Sequence, residues 1–251
     1  CAADISVPES VDNPVKYYYN NTSKSIKLLE KAKRYGVNNF VFSCTAAVYG
    51  EPKGDVAKSI PETQPCRPIN AYGESKLMFE TILKRYSGVN PNFKYTSLRY
   101  FNVAGNDIGN RVQDIHWRQK GNVIPKIMSR IIDGKGEFTI FGIDYDTPDG
   151  SCLRDYIHPT DLANAHLMCL EKEITGVYNL GTSRGVSVWE IVKETVSATD
   201  TDIEVVHGKR RAGDPPVLVA NPNRFMEISG WEPSYSIGEI VRTAYKAYKK
   251  V

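Results

Sequence analysis

The chain has 251 residues, of which 41% are hydrophobic and 24% are charged, with a formal net charge of +3. These proportions are those of a globular protein with one large domain or two small ones. The small net charge gives no case for nucleic acid or a membrane surface as a partner, and no apolar run reaches the roughly 18 residues that a transmembrane helix needs.

The five cysteines are scattered and never stand in C-x-x-C spacing, and the four histidines are also dispersed. An odd number of isolated cysteines favours reduced thiols over a disulfide framework or a zinc site. No signal-peptide pattern is present. We therefore expect a cytoplasmic protein without a metal site.

The first predicted element is a long helix over residues 14–34, which Gly36 is placed to cap. Asn20 and Asn21 lie within it and, on the sequence alone, are best interpreted as two solvated polar residues. The residues that recur at three- and four-residue steps are Val15, Tyr18, Tyr19, Thr22, Ile26, Leu29 and Ala32.

Two predicted strands end in small or polar residues. The apolar run 39–43 leads into Ser43 and Thr45, as a buried strand does where it meets a ligand, although a threonine here also suits an ordinary turn. A second strand, 93–102, ends at Tyr100 and Asn102. A helix that begins near Tyr72 and continues to residue 86 lies between the two strands.

Tyr72 and Lys76 are four residues apart, so in a helix they lie on one face, one turn apart. An ammonium group beside a tyrosine favours the phenolate. Bringing a phenolic pKa from about 10 to about 7 takes roughly 4 kcal/mol of such stabilisation. The pair therefore has the composition of a catalytic base and its activator. By itself, the spacing also fits a surface tyrosine and a solvated lysine.

From Val103 onward the pattern changes. A glycine-rich and polar stretch precedes the remaining predicted elements, and Ser187 is placed to cap one of the helices. These elements are a helix at 122–133, a strand at 137–142, a helix at 159–169, a strand at 176–180, a helix at 186–198, a strand at 202–207 and a helix at 237–248.

Six segments in this order resemble the UDP-glucose (UDP-galactose) 4-epimerase family, within the extended short-chain dehydrogenase/reductase superfamily. The segments are distributed across nearly the whole chain, which makes the match specific. The segments are Phe42-Ser43-Cys44-Thr45-Ala46-Ala47-Val48-Tyr49-Gly50, Tyr72-Gly73-Glu74-Ser75-Lys76, Arg99-Tyr100-Phe101-Asn102, Arg154-Asp155-Tyr156-Ile157-His158, Tyr178-Asn179-Leu180-Gly181 and Arg210-Arg211-Ala212-Gly213-Asp214.

The resemblance implies an α/β fold: an incomplete Rossmann-like, doubly wound parallel sheet with a smaller C-terminal α/β substrate-binding region. The NAD-binding domain would comprise residues 1–105 with 155–182 returning to the sheet, and the UDP-sugar region 106–154 and 183–251. No G-x-x-G-x-x-G turn opens a helix, and Cys1-Ala2-Ala3 resembles a loop that follows the family's fourth strand. We therefore expect the 251-residue chain by itself to carry little or no NAD.

The implied reaction is NAD-dependent epimerisation at C4 of a UDP-hexose through a 4-keto intermediate. Tyr72 would act as the base, with Lys76 lowering its pKa and Thr45 helping to pass the proton. A UDP-N-acetylglucosamine or UDP-pentose 4-epimerase is an alternative, and Leu218 does not settle whether an N-acetyl group fits. A catalytically incompetent chain that acts as an association module is an alternative of another class.

The resemblance also carries over binding residues and a homodimer formed through the 14–34 and 71–86 helices. From the residues alone, Arg154-Asp155 also fits a local ion pair, and Lys209-Arg210-Arg211 a solvated face. The residues carried over for NAD are Asn21, Ser43, Tyr72, Lys76 and Tyr100, and those for the UDP-sugar are Thr45, Asn102, Asn122, Val123, Phe141, Arg154, Arg211 and Asp214.

Overall fold

The computed structural model describes residues 3–52, 54–109, 111–112, 115–119, 121–134, 136–211 and 214–250. Cys1 and Ala2, which belong to the predicted N-terminal loop, lie outside the described residues. So do Ala212 and Gly213 of the last quoted segment.

Helices and strands alternate through most of the chain, as in α/β proteins. Short 3₁₀ turns at Ala46–Tyr49, Gly54–Lys58 and Trp117–Gln119 join some of them. The α-helices are α1 (Val7–Asp12), α2 (Pro14–Tyr17), α3 (Lys24–Arg34), α4 (Ala71–Val89), α5 (Val123–Ile132), α6 (Pro159–Glu171), α7 (Val188–Thr199), α8 (Asn223–Ser229) and α9 (Ile237–Tyr248).

A three-stranded parallel sheet, ordered β1-β2-β6, brings three carboxyl ends to one edge. Thr45, the last residue of β1, lies opposite Tyr100, the last of β2, and Tyr100 lies opposite Leu180 of β6. Ligands of open α/β sheets bind at such an edge. The strands are β1 (Asn39–Thr45), β2 (Lys94–Tyr100), β3 (Asn102–Val103), β4 (Glu137–Phe141), β5 (Leu153–Ile157), β6 (Gly176–Leu180), β7 (Gly185–Ser187), β8 (Glu204–Gly208) and β9 (Val217–Leu218).

Two further sheets, of four and two strands, lie mostly in the second half of the chain. Strand β5 pairs in parallel with β3 and β9 and antiparallel with β7, and β4 pairs in parallel with β8. Because β3 follows β2 after one residue, β5 lies next to the end of the first sheet. The first sheet and the second half of the chain therefore meet at this point.

The predicted helix over 14–34 contains a π-helical turn, Tyr18–Ser23, which the sequence did not indicate. The wider turn shifts the buried face by part of a turn. Tyr17, Asn21 and Thr22 are buried, whereas Val15 and Tyr19, which belong to the set that recurs at helical steps, are exposed. The predicted cap is confirmed, because Gly36 has a positive φ and Val37 N bonds to the Ala32 carbonyl.

The predicted strand at 176–180 and the predicted helix at 237–248 have the bounds that the structure gives them. The helix expected at 186–198 begins two residues later, because Gly185–Ser187 forms strand β7. Ser187 caps that helix as predicted and forms a capping box with Glu190.

Candidate active site

Helix α4 approaches the end of β1 closely because of Gly73. A Cβ on this residue would lie 2.6 Å from the Ala47 carbonyl oxygen, which is too close for any other side chain. Asn70 caps the helix by accepting a hydrogen bond from Gly73 N at 2.9 Å. The first turn of α4, which carries Tyr72, is thereby held against the turn that follows Thr45.

Thr45 and Tyr72, the two predicted hydroxyl groups of the site, are neighbours, and the Thr45 hydroxyl lowers the pKa of Tyr72. Thr45 is buried and its hydroxyl oxygen also accepts a hydrogen bond from Ala47 N at 3.1 Å, which fixes the side chain. Tyr72 is half-buried, so a ligand can reach it. The structure brings these two groups together as the sequence predicted.

Lys76 lies one turn further along α4 and is only 5% exposed. Its ammonium donates a hydrogen bond to the Ser43 carbonyl oxygen at 2.9 Å and lies 5.1 Å from the centre of the Phe42 ring. Burial lowers the pKa of Lys76. The side chain is therefore anchored to β1 and faces the same edge of the sheet as Thr45.

The pKa of Tyr72 differs from the sequence-based expectation. Burial raises it above the ordinary value, and the neighbouring Thr45 hydroxyl acts in the opposite sense. The prediction that Lys76 lowers this pKa is therefore not met by the chain alone. The physical reason is that burial destabilises the phenolate by more free energy than the neighbouring groups of the chain restore.

The π-helical turn packs on α4 behind the candidate base. The Tyr17 ring meets the Tyr72 ring edge-on, with centroids 6.4 Å apart. Asn21 exchanges hydrogen bonds with the backbone of Asp4 at 3.0 Å and donates to Ser75 Oγ at 3.2 Å. Asn21 is thus not solvated, and its contact with a cofactor stays a prediction.

The end of β2 supplies Tyr100 and the start of β3 supplies Asn102. Tyr100 Oη lies 3.0 Å from the Oγ of Ser43, the residue whose carbonyl oxygen binds Lys76. Asn102 donates a hydrogen bond to the Asp155 carbonyl oxygen at 3.1 Å, across to β5. Ser43, Lys76 and Tyr100, all predicted to bind the cofactor, therefore lie together.

Several residues predicted to bind the UDP-sugar surround a cavity of about 450 Å³ between α5 and β4. Val123, Phe141, Arg211 and Asp214 line it. Arg211 lies over the Phe141 ring at 4.2 Å, a cation–π arrangement. Asn122 stands directly before α5 and its side chain makes no capping hydrogen bond. The cavity unites residues from distant parts of the sequence.

Arg154 does not line this cavity but forms an ion pair with Asp214, which does. The alternative of a local Arg154–Asp155 ion pair is not found. Asp155 instead accepts hydrogen bonds from the backbone N–H groups of Thr182 and Ala220, at 2.7 and 3.1 Å. Arg154 is therefore directed towards the candidate diphosphate site.

The donor set at the sheet edge suits a dinucleotide. An ammonium group has three N–H donors, and the described hydrogen bonds of Lys76 use one of them. No carboxylate pairs with Lys76 among the described ion pairs, so this buried cation can donate to ribose hydroxyls. The residues present therefore fit NAD.

Sequence reasoning missed a buried network beneath the site. Glu80 follows Lys76 by one turn and pairs with Arg99, whose Nε lies 3.1 Å from Glu80 Oε2. Arg99 also donates to the Tyr49 hydroxyl at 2.8 Å, and Tyr49 donates to Asn179 at 2.7 Å. No sequence spacing could have indicated this pair, because Glu80 and Arg99 lie on different elements.

Within the part of the chain that the structure describes, no group of metal-ligating side chains is found and no helix is long and apolar enough to cross a membrane. Cys44, Cys66, Cys152 and Cys169 are free thiols. The expectation that these four cysteines form no disulfide with one another is confirmed.

Comparison with known proteins agrees with this geometry. A UDP-glucose 4-epimerase of Lactobacillus helveticus is 41% identical over 99% of the chain and 75% of its own length. The structure matches a UDP-glucose 4-epimerase from Brucella ovis in complex with NAD, with a TM-score of 0.91 and 39% identity over 99% of this chain and 76% of that one. It also matches one from Bifidobacterium longum in complex with NAD⁺ and UDP, with a TM-score of 0.86 and 32% identity over 99% and 75%.

Residues 1–181 match the model of the NAD dependent epimerase/dehydratase family. This match includes both strands whose ends form the candidate site, and helix α4 between them. The chain belongs to the NAD dependent epimerase/dehydratase family.

Proposed function

We propose that Tyr72, Thr45 and Lys76 carry out the reaction of this protein, the NAD-dependent epimerisation of a UDP-hexose at C4. The position of Tyr72 beside Thr45 at the carboxyl end of β1 carries this proposal, since a candidate base lies next to a second hydroxyl and one helical turn from the buried ammonium of Lys76. Named UDP-glucose 4-epimerases that are about 40% identical support it.

Tyr72 accepts the proton of the sugar 4-hydroxyl, and the neighbouring Thr45 hydroxyl helps to pass it. The half-exposed position of Tyr72 allows contact with the sugar, while Gly73 holds the tyrosine against the end of β1. Because burial raises the pKa of Tyr72, its phenolate needs a positive charge nearby. Lys76 supplies one such charge.

The cofactor supplies a reversible hydride acceptor for C4 of the sugar. Ser43, Lys76, Tyr100 and Asn21 would hold it. Lys76 is fixed by the Ser43 carbonyl, so its remaining N–H groups are oriented before a ligand arrives. Such preorganisation avoids a cost of ordering the side chain during the reaction.

The UDP half of the substrate would occupy the cavity between α5 and β4. Arg211 and Arg154 bind the diphosphate, and Asp214 accepts from a ribose hydroxyl. Val123 and Phe141 provide apolar walls, with Asn122 beside them. Firm anchoring through the nucleotide leaves the 4-keto sugar, flanked by Asn102 and Thr45, free to turn and present its other face.

The outer faces of the two predicted dimer helices support association of two copies. Val15, Tyr19, Met78 and Val89 are exposed apolar residues on or beside these helices. A groove of about 470 Å³ runs along α4 and ends at Val89. A homodimer through the 14–34 and 71–86 helices would cover these surfaces.

We also propose that the chain is divided into two regions. Residues 1–105 and 155–182 belong to the NAD-binding domain, and 106–154 with 183–251 form the UDP-sugar region. The four free thiols support a cytoplasmic location.

The reaction is tested by incubating the purified protein with NAD and UDP-galactose and following UDP-glucose formation. UDP-N-acetylgalactosamine and a UDP-pentose in parallel distinguish the sibling activities. We expect interconversion of the UDP-hexoses. If UDP binds tightly but none of these sugars is interconverted, the proposed reaction is wrong.

A further inference from the structure

Three side chains form a hydrogen-bonded row beside the candidate catalytic residues. His166 on α6 lies with its Nε2 2.6 Å from Tyr100 Oη, and Tyr100 Oη lies 3.0 Å from Ser43 Oγ. The other ring nitrogen, His166 Nδ1, lies 2.8 Å from the Leu162 carbonyl oxygen. The row thus runs from α6 to Ser43, whose carbonyl oxygen binds Lys76.

The proton positions in this row follow from its one obligatory acceptor. A carbonyl oxygen can only accept, so the His166 proton resides on Nδ1. Neutral imidazole then has a bare Nε2, which must accept the phenolic proton of Tyr100. Since Tyr100 has a single hydroxyl proton, its oxygen accepts from Ser43, and the Ser43 hydroxyl points towards Tyr100.

This pattern requires a neutral His166. Its ring is half-buried, and burial lowers the pKa of His166 below its ordinary value. The histidine is thus neutral at pH 7 and can act as acceptor. Burial also raises the pKa of Tyr100, and the hydrogen bond with Ser43 acts in the opposite sense.

We infer that His166 is a positioning residue that acts through Tyr100. His166 accepts a hydrogen bond from the single phenolic proton of Tyr100 and thereby fixes the direction of the Ser43 hydroxyl. Tyr100 is thereby kept as a neutral phenol, and Tyr72 remains the one of these two tyrosines whose proton is free to exchange with the substrate. The inference rests on the proposed role of Tyr72 as base.

The histidine acceptor decides whether the Ser43 hydroxyl offers a donor or an acceptor to a ligand. Ser43 lies between Tyr100, through its hydroxyl, and Lys76, through its carbonyl. Without the histidine acceptor, the Tyr100 proton can turn towards Ser43 and the serine proton must turn away. Ser43 would then present a donor instead of an acceptor in a region that we assign to the cofactor.

The test compares His166→Gln, whose amide oxygen can still accept from Tyr100, with His166→Phe, which fills the space but cannot accept. We expect the Phe variant to lose about tenfold in kcat with KM for the UDP-sugar changed less than twofold. We expect the Gln variant to stay within about threefold of the native kcat. His207→Gln, at an exposed histidine, serves as the matched control.

A second readout does not depend on turnover. In ¹⁵N spectra of the imidazole rings at pH 7, the signal that disappears in His166→Gln should be that of a neutral ring protonated on Nδ1. A ring protonated on Nε2, or on both nitrogens, would overturn the inference, and so would native kcat in the Phe variant. If the native protein shows no epimerase activity, the proposed function fails, while the ¹⁵N signal still decides the state of His166.

Discussion

Lys76 Nζ donates a hydrogen bond to the Ser43 carbonyl oxygen at 2.9 Å, across the junction between α4 and β1. The ammonium is buried, and the described ion pairs give it no carboxylate partner. A buried cation without a counterion costs folding free energy. This arrangement therefore lowers the stability of the fold to keep a cation in place at the site.

The first prediction is that Lys76→Met makes the NAD-free protein more stable while reducing its activity. Burial lowers the pKa of Lys76, so the unfolded chain binds this proton more tightly than the folded chain. Stability of the native protein therefore rises with pH between the folded pKa and the unfolded value of about 10.4. We expect the variant to gain about 1 kcal/mol at pH 7, because methionine removes the charge.

Urea unfolding of both proteins from pH 7 to 10.5 measures this effect, and the advantage of the variant should shrink as the pH rises. Lys193→Met, on the exposed side of α7, is the control variant. A variant that is less stable than the native protein at every pH would contradict the prediction.

The second prediction concerns the base. Tyr72→Phe removes the hydroxyl group but keeps the ring that packs edge-on against Tyr17. Loss of a general base reduces kcat by about 10² to 10⁴-fold, and we expect a loss in this range with unchanged UDP binding. Steady-state kinetics and calorimetry measure the two quantities. Tyr35→Phe, at a tyrosine that is 76% exposed, is the control.

Near-native turnover of Tyr72→Phe at neutral pH would rule out Tyr72 as the base. Loss of UDP affinity in the same variant would instead indicate a disturbed fold, since Tyr72 does not line the cavity between α5 and β4.

The sequence predicted contacts between residues that share one helix or strand better than contacts between residues on different elements. Tyr72 and Lys76 share one helix, so their spacing alone predicted a common face, and Thr45 was predicted at the end of its strand. The pairing of Glu80 with Arg99 joins a helix to a strand, and no spacing reports it. The π-helical turn at 18–23 was missed because its buried face follows from packing on α4 rather than from the apolar pattern.

The binding residues of the second half illustrate the same limit. Arg211 and Phe141 stand 70 residues apart in the chain, and only the pairing of β4 with β8 explains why they meet. The family resemblance assigned them to one ligand, whereas periodicity could not. The raised pKa of Tyr72 in the chain alone was not foreseen because desolvation depends on burial, which the sequence does not specify.

A third prediction tests the buried pair Glu80–Arg99. Glu80→Leu leaves the Arg99 guanidinium buried without its carboxylate, which costs about 3 to 5 kcal/mol of unfolding free energy. The double variant with Arg99→Leu should recover most of this loss, because both charges are then absent. Urea denaturation gives the four free energies of the cycle.

Asp55→Ala, which breaks the exposed pair with Lys58, provides the comparison and should leave the stability nearly unchanged. If Glu80→Leu also costs less than 1 kcal/mol, the pair does not hold α4 to the sheet as the geometry indicates.

The fourth prediction concerns Lys126, which lines the cavity of about 450 Å³ together with Arg211. Burial lowers the pKa of Lys126, and the charge of Arg211 lowers it further, which means that two like charges face one space. A bound diphosphate would relieve that repulsion. Lys126→Met should therefore weaken UDP binding by about tenfold but uridine binding by less than twofold.

Calorimetric titration with UDP, UMP and uridine measures this difference, with Lys193→Met as control. Equal losses for all three ligands would mean that Lys126 acts on the shape of the cavity and not on phosphate.

The last prediction addresses assembly through the exposed face of α4. Met78, Ile82, Tyr86 and Val89 recur at three- and four-residue steps on this face, and Met78 is 40% exposed. Met78→Glu places a charge where two copies would meet, and desolvating an unpaired carboxylate opposes association. We expect the native protein to be a dimer by light scattering and the variant to dissociate at least tenfold more readily. Leu167→Glu, on the exposed face of α6, should remain dimeric, and a native monomer or an unaffected Met78→Glu dimer would exclude this face as the interface.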